Sequence, residues 1–145
     1  MNDKWDMRFL KLAEEIAGWS KDPSTQVGCV VVGADRTIRS VGFNGFPRSV
    51  EDHDHILDDR NLKYYFICHA EENAISQAAR VGTPIDGCTA YVSWPPCSRC
   101  ARSLLQAGIN EIVYPEFSDI PDRWRGDFLA AEMIMGDAGR KLEIL

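Results

Sequence analysis

The chain has 145 residues, of which 45% are apolar and 26% are charged. This is the length and composition of one ordinary globular domain, so residues 1–145 are predicted to fold as a single unit, and two ordinary domains are excluded. The formal net charge of −6, with no lysine- or arginine-rich block, argues against a long DNA or RNA polymer as a partner.

The sequence also predicts where the protein works. The first 15 residues contain no apolar signal segment, and no apolar run approaches the roughly 18 residues that a membrane span needs. Five cysteines are an odd number, which fits a reducing compartment better than a framework of disulfides. We therefore expect a cytoplasmic protein with no membrane partner.

The first third of the chain predicts a helix followed by a β-hairpin. An amphipathic helix is expected over about residues 4–20, because apolar residues recur there at helical spacing: Trp5, Phe9, Leu12, Ala13 and Ile16. A continuous apolar run at 27–32 predicts a buried strand, and residues 33–36 read as a turn. Residues 38–43 are then the second strand of the hairpin.

A long polar segment follows the hairpin. Residues 44–65 are irregular and rich in charge, and only 57–65 are compatible with a short helix. Loops of this length in a compact domain are commonly functional. The remaining chain alternates helices and strands, predicted at 69–80, 89–93, 98–107, 112–114, 128–135 and 142–145. This alternation predicts an α/β protein, a three-layer α/β/α sandwich around a mixed, largely parallel five-stranded sheet that starts with the hairpin.

Two short motifs carry the chemistry. His69-Ala70-Glu71 opens one predicted helix, and Pro96-Cys97-Ser98-Arg99-Cys100 opens the next. One imidazole and two thiolates can hold a zinc ion and leave a fourth position open for water, which is typical of catalytic zinc. The positive ends of the two helices favour the thiolate forms. The pattern H-x-E…P-C-x-x-C is the signature of zinc nucleobase deaminases.

Two other functions of the cysteine pair remain open at this point. Cys-x-x-Cys can be a redox pair, or half of a structural zinc site that needs a fourth ligand. The three further cysteines, Cys29, Cys68 and Cys88, lie in apolar runs and are expected to pack in the core. Neither alternative explains Glu71 or the proline before Cys97.

Glu71 is the predicted proton carrier. Deamination by water requires that a ring nitrogen gain a proton and that the amine leave as ammonia, and one carboxylate beside both groups can serve each step. Glu72 lies about 100° further around the helix and is expected at the surface or at a subunit interface.

The motifs resemble the cytidine and deoxycytidylate deaminase superfamily, and most closely its deoxycytidylate (dCMP) deaminase branch. The resemblance covers roughly residues 20–115 and is carried by four segments: Ser24-Thr25-Gln26-Val27-Gly28, Gly42-Phe43-Asn44-Gly45-Phe46-Pro47, His69-Ala70-Glu71-Glu72-Asn73-Ala74-Ile75 and Pro96-Cys97-Ser98-Arg99-Cys100-Ala101. It implies a cytidine deaminase-like fold and a homo-oligomer, either a dimer or a hexamer. Members of the family often carry a leucine where Glu72 stands.

The resemblance also implies roles for individual residues. His69, Cys97 and Cys100 would bind zinc, and Glu71 would be the catalytic residue. The backbone N–H of Ala70 would hold the pyrimidine carbonyl. Asn44 would bond the sugar hydroxyl, although an Asn-Gly pair is also a common turn.

Phosphate recognition needs cationic side chains, which the long polar segment supplies. Its candidates for substrate contact are Arg48, Arg60 and Lys63, with Tyr64 beside them. The function implied is the hydrolysis of dCMP, a small nucleotide, to dUMP and ammonia. Three alternatives remain: another small aminated nucleoside, nucleotide or base as substrate, editing of a base in tRNA or DNA, and a zinc-binding module without catalysis.

Overall fold

The structure is a computed structural model, and it describes residues 4–145. Within these residues the helices and strands are, in chain order, α1 (Lys4–Ala17), β1 (Gly28–Val32), β2 (Ile38–Phe43), α2 (Asp54–Leu57), α3 (Arg60–Phe66), α4 (Ala70–Val81), β3 (Thr89–Val92), α5 (Ser98–Gln106), β4 (Glu111–Tyr114), α6 (Asp122–Asp137) and β5 (Lys141–Ile144). None of the described helices has the length and apolar character that crossing a membrane requires.

The five strands form one mixed sheet in the order β2-β1-β3-β4-β5. The β1–β2 and β1–β3 pairs are antiparallel, whereas β3–β4 and β4–β5 are parallel. The prediction of a mixed sheet that starts with a hairpin is confirmed, but "largely parallel" is wrong because half of the neighbouring pairs are antiparallel. The cause is the position of β1. Strands β2 and β3, which α4 connects, run in the same direction, and β1 lies between them and is antiparallel to both.

Alternation along the strands produces the three layers. Cys29 and Val31 of β1 face a core cluster with α4, α5 and α6, and Val30 and Val32 face a second cluster with α1. Successive side chains of a strand point to opposite faces, so a fully buried strand needs apolar residues at every position. The α/β/α sandwich predicted from the sequence is therefore confirmed.

Three helical segments differ from the predicted ones. Helix α1 ends at Ala17, earlier than expected, and the polar segment 44–65 contains both α2 and most of α3. Helix α6 begins at Asp122 rather than at residue 128, directly after Pro121. Its first six residues lack apolar periodicity because none of them packs in the core, and two of them, Arg123 and Trp124, line a cavity instead.

Helix α4 lies against strand β2 without space for a side chain between them. A Cβ atom built on Gly42 would overlap the carbonyl oxygen of Ala70 and lie 2.5 Å from the backbone nitrogen of Ala74. Glycine at this position therefore sets how closely the first turns of α4 approach the sheet.

We predict that Gly42→Ala lowers the free energy of unfolding by about 2 kcal/mol, because overpacking against backbone atoms forces a shift of the helix. Thermal or urea unfolding would measure the change. Gly45→Ala is the matched control, since a Cβ atom there meets nothing within 4 Å. Equal unfolding free energies for the two variants would contradict this account of the helix position.

Candidate active site

Helices α4 and α5 begin at the same end of the sheet. Gly28 at the start of β1 pairs with Phe43 at the end of β2, and Cys29 pairs with Val92 at the end of β3. The chain leaving β2 and the chain leaving β3 therefore emerge side by side. Because α4 and α5 follow these strands, their N-termini converge over this end, as predicted for the two motifs.

The start of α4 is fixed on both sides of His69, which is its N-cap residue. A two-way backbone bridge joins Gly45 and Cys68, with N···O distances of 3.1 and 2.8 Å. The backbone N–H of His69 donates to Glu72 Oε1 at 2.9 Å. Glu72 also accepts from Arg99 Nη2 at 2.8 Å. Glu72, expected at the surface or at an interface, is half-buried at the surface of the chain and caps the helix.

The start of α5 is also held by hydrogen bonds. Cys97 is its N-cap residue, and its Sγ accepts from the backbone N–H of Cys100 at 3.4 Å. From α6, Asp127 accepts from the backbone N–H of Ser98 at 2.8 Å. These bonds satisfy helix N–H groups that have no partner inside the helix. Helix α6, which the sequence motifs do not include, therefore supports the start of the cysteine-bearing helix.

His69, Cys97 and Cys100 bring three metal donors together. Their ligand atoms all lie within 4.8 Å of one another, and within residues 4–145 no other His, Cys, Asp or Glu joins them or forms a second such group. His69 Nδ1 is 3.2 Å from Cys100 Sγ and 3.6 Å from Cys97 Sγ. A tetrahedral zinc ion with ordinary bond lengths separates N and S ligands by about 3.6 Å. The donor set therefore fits zinc.

The other cysteines do not complete a closed four-ligand site. Cys29 and Cys88 are buried free thiols, and Cys29 lies in the core cluster under α4, as predicted. Cys68 is only half-buried and lines a second cavity, so its predicted core position is wrong. The reason is the bridge to Gly45, which keeps this residue at the edge of the sheet. Three protein ligands with an open position are typical of catalytic zinc.

The pKa values of the two cysteine thiols shift in opposite directions, so Cys100 holds its proton more strongly than Cys97 does. The hydrogen bond from Cys100 holds the pKa of Cys97 far below its ordinary value, and His69 acts in the same direction. The same contact, together with burial, raises the pKa of Cys100. A metal ion binds only deprotonated thiols, so it would take the place of this proton.

Glu71 lies on the floor of the cavity that the donors adjoin. Its side chain is almost fully buried, and this burial raises the pKa of its carboxyl group even though the neighbouring His69 lowers it. A buried carboxyl with a raised pKa beside metal donors is typical of a general acid–base.

The cavity has a volume of about 350 Å³. It brings together eight of the residues singled out from the sequence: Asn44, Arg60, Lys63, Tyr64, His69, Ala70, Glu71 and Cys97. Asn44 is buried, and its amide fixes the approach to β1: Oδ1 accepts from the N–H of Val27 at 2.8 Å, and Nδ2 donates to the carbonyl of Thr25 at 2.9 Å. One lone pair and one N–H of the amide remain for a ligand.

Cationic side chains line the cavity, and one of them is already paired. Lys63 Nζ lies 2.8 Å from both Asp22 Oδ1 and Ser24 Oγ. Although burial opposes it, this contact lowers the pKa of Asp22. Arg60 and Arg123 also line the cavity, and neither forms an ion pair within the described part of the chain.

Arg48 lies apart from this group. Its Nη2 donates to Gln77 Oε1 at 2.9 Å, and its side chain lines the second cavity, between β2 and α4. The turn that follows Pro47 carries it to the other side of the bridge between Gly45 and Cys68.

Aromatic residues that the motifs do not contain also line the cavity. Trp124 contacts Tyr64 edge-on, with ring centroids 6.2 Å apart, and stacks on Phe128 at 6.3 Å. Trp94, just after β3, is a further lining residue. The sequence signal for Trp124 and Arg123 was an aromatic and basic pair in an otherwise acidic segment, and it predicted no position in space.

Zinc-dependent deaminases are the class of enzyme in which an H-x-E helix start meets a P-C-x-x-C helix start over one cavity, and this chain has that arrangement. A family described as "cytidine and deoxycytidylate deaminase zinc-binding region" matches residues 3–116. The chain therefore belongs to the cytidine and deoxycytidylate deaminase family.

Individual relatives agree with this assignment. The chain is 41% identical over 140 residues to an uncharacterized deaminase in the luxG 3′ region of Aliivibrio fischeri, which covers 96% of this chain and 92% of the relative. It is 36% identical over 118 residues to the human deoxycytidylate deaminase, covering 77% of this chain and 64% of the human protein. The dCMP deaminase of cyanophage S-TIM5, in complex with dCMP and dUMP, has a TM-score of 0.78 at 25% identity over 100% of this chain and 99% of its own.

We predict that Cys100→Ser abolishes stoichiometric zinc binding. Loss of a ligand should lower the affinity for zinc by more than the roughly 10–100-fold that is typical when a residue that orients a ligand is removed. Metal analysis of zinc-loaded, desalted protein would measure this. Cys68→Ser is the matched control and should keep one zinc per chain. A chelator should lower the melting temperature of the wild type and of this control, but leave that of Cys100→Ser unchanged. Equal zinc content in both variants would contradict the donor assignment.

Proposed function

We propose that this protein hydrolyses dCMP to dUMP and ammonia. The observation that carries the proposal is one cavity with metal donors and the Glu71 carboxyl at its floor and cationic side chains around it. Metal donors and a carboxyl at the floor, with cationic side chains around them, suit a substrate with an aminated ring at one end and a phosphate at the other. The phage enzyme of the same fold has been solved with dCMP and dUMP, which supports the choice of this substrate.

The chain supplies the proton transfers of the reaction. Zinc, when bound by His69, Cys97 and Cys100, lowers the pKa of a coordinated water toward neutrality. Glu71 takes a proton from the attacking water and delivers it to the ring nitrogen beside the carbon under attack. It then takes the second proton of the same water and transfers it to the amino group, which leaves as ammonia. The carboxyl ends each cycle in its starting protonation state, so no other acid is needed.

Two groups on the cavity wall orient the nucleoside. Ala70 is the first residue of α4, so its N–H has no partner within the helix and can donate to the pyrimidine carbonyl. The Asn44 amide keeps one donor and one acceptor after bonding Val27 and Thr25, which suits a sugar hydroxyl. Both groups are held by backbone contacts, which avoids an ordering cost on binding.

The phosphate is proposed to lie between Arg60 and Arg123. Both line the cavity, one at the start of α3 and the other in the first turn of α6, and both lack an ion-pair partner in the described residues. Lys63 is held by Asp22, so it positions the cavity wall and contributes little net charge to the phosphate.

Other substrate classes fit less well. A free nucleoside or base would leave the two arginines without a charged partner. A base within tRNA or DNA would require a basic surface that extends well beyond the cavity, whereas the net charge is −6 and the sequence has no lysine- or arginine-rich block. A zinc module without catalysis leaves unexplained a nearly fully buried carboxyl beside the donors.

We further propose a single deaminase domain that acts in the cytoplasm as a homo-oligomer, either a dimer or a hexamer. All five cysteines are free, which suits a reducing compartment. Exposed apolar side chains, among them Leu129 and Met133 on α6, could be covered by a second copy. The chain spans 92% of the Aliivibrio relative but 64% of the human relative.

We predict that Glu71→Gln retains fold and zinc but has less than a hundredth of wild-type turnover, because general acid–base catalysis contributes about 10²–10⁴-fold. Release of ammonia from dCMP would be measured together with metal content. Glu15→Gln, at an exposed position of α1, is the control for loss of a carboxylate. Turnover above a hundredth of wild type in a zinc-loaded Glu71→Gln protein would rule out Glu71 as the sole proton carrier.

We predict that Arg123→Ala lowers kcat/KM for dCMP about 10–100-fold, the equivalent of one charge-assisted hydrogen bond, and changes that for deoxycytidine less than about twofold. Arg125→Ala is the matched control, because Arg125 pairs with Asp122 and does not line the cavity. An equal loss on both substrates would indicate a structural role for Arg123, and no loss on dCMP would exclude it from phosphate binding.

A further inference from the structure

The Glu72 carboxylate joins the two helix starts that carry the zinc donors. Its Oε1 accepts from the backbone N–H of His69 at 2.9 Å and from Arg99 Nη2 at 2.8 Å. Arg99 lies between Cys97 and Cys100 in the chain. We propose that the Glu72–Arg99 ion pair is a positioning element that sets the separation between His69 and the two cysteines, and thereby the affinity for zinc. The inference rests on zinc binding at the proposed site.

The shared oxygen makes the connection rigid. Glu72 lies in the first turn of α4, and its bond to the His69 N–H fixes the carboxylate relative to the imidazole-bearing residue. Arg99 is the second residue of α5, one turn or less from both thiols. A displacement of either helix start therefore breaks a charge-assisted hydrogen bond, and this bond holds the three donors close enough for one ion.

The position of the pair favours an effect on the metal over an effect on global stability. The side chains of Arg99 and Glu72 are 50% and 30% exposed. Ion pairs this exposed contribute little to the free energy of unfolding. Outer partners that orient metal ligands, in contrast, typically change metal affinity about 10–100-fold when removed.

Zinc affinity in a double-mutant cycle tests the proposal. Apo protein would be titrated with zinc in competition with a chromophoric chelator for the wild type, Glu72→Gln, Arg99→Met and the double variant. Glu72→Gln keeps an oxygen that can accept from His69 but removes the charge. We expect each single variant to bind zinc about tenfold more weakly, and the double variant to be no weaker than either, because both changes break one contact.

Control variants in the same helix distinguish this role from a general effect of losing an arginine. Arg102→Met removes an exposed arginine of α5 whose nearest polar contact is Ser98 of that helix, so its zinc affinity should stay within about twofold of the wild type. Arg99→Lys keeps the cation and should recover most of the affinity. The cobalt-substituted protein gives a second readout, because its thiolate charge-transfer and d–d bands should shift in Arg99→Met and not in Arg102→Met.

Unchanged zinc affinity and cobalt spectra in folded Glu72→Gln and Arg99→Met would overturn the proposal, and so would independent, additive losses in the double variant. Circular dichroism would establish that each variant is folded, and Arg99→Met, at the more exposed end of the pair, is the variant least able to disturb the core. Failure of the wild type to take up zinc would overturn the proposed function itself, whereas zinc uptake that ignores the pair would overturn only this inference.

Discussion

Two helices begin beside each other at one end of the sheet, and this convergence determines most of the site. The antiparallel pairing of β1 with both of its neighbours places the ends of β2 and β3 on the same side. Glycine at position 42 then allows α4 to approach the sheet at backbone contact distance. Together these two features bring His69 Nδ1 to 3.2 Å from Cys100 Sγ and 3.6 Å from Cys97 Sγ. The metal donors are therefore a product of strand order as much as of local spacing.

The two converging helix starts bury several acidic groups close together, and the charge of these groups must be balanced. Glu71 and the two thiols are withdrawn from water, and burial raises the pKa of Glu71 and contributes to the raised pKa of Cys100. Several buried acidic groups cannot all ionise without a cation, because the desolvation cost of each exceeds what neutral neighbours return. The partial positive charge of two helix N-termini offsets part of this cost, and a divalent ion offsets the rest. The arrangement that makes zinc necessary for the site's charge balance also keeps Glu71 able to exchange a proton.

Local spacing predicted that the donors and Glu71 lie together, but it gives no information on partners that are far away in the chain. The H-x-E and C-x-x-C spacings fix ligands within single helix starts, so three donors and Glu71 could be assigned without a fold. Lys63 was a candidate for phosphate, but Asp22, 41 residues earlier, holds its ammonium group. Asp127 and Trp124 come from a helix start whose side chains cover a cavity, so no periodic pattern marked that turn as helical. A short motif cannot predict that a cation is already held by an ion pair, or that a side chain contacts a distant part of the fold.

The residues that the motifs predicted are those proposed for the reaction, whereas the residues that they missed are those proposed for the choice of substrate. The groups that would handle the amino group and the protons lie in His69–Cys100, inside the matched family region of residues 3–116. Arg123 and Trp124, in contrast, lie on α6, outside that region. Under the proposed phosphate contact of Arg123, a change in α6 would alter which molecule enters while Glu71 and the metal donors stay in place. Because Asp127 of the same helix caps α5 at Ser98, such a change is limited to side chains that leave this bond intact. Under the proposed phosphate contact of Arg123, selectivity would depend on the helix that also supports the start of the cysteine-bearing helix, although the two functions use different residues.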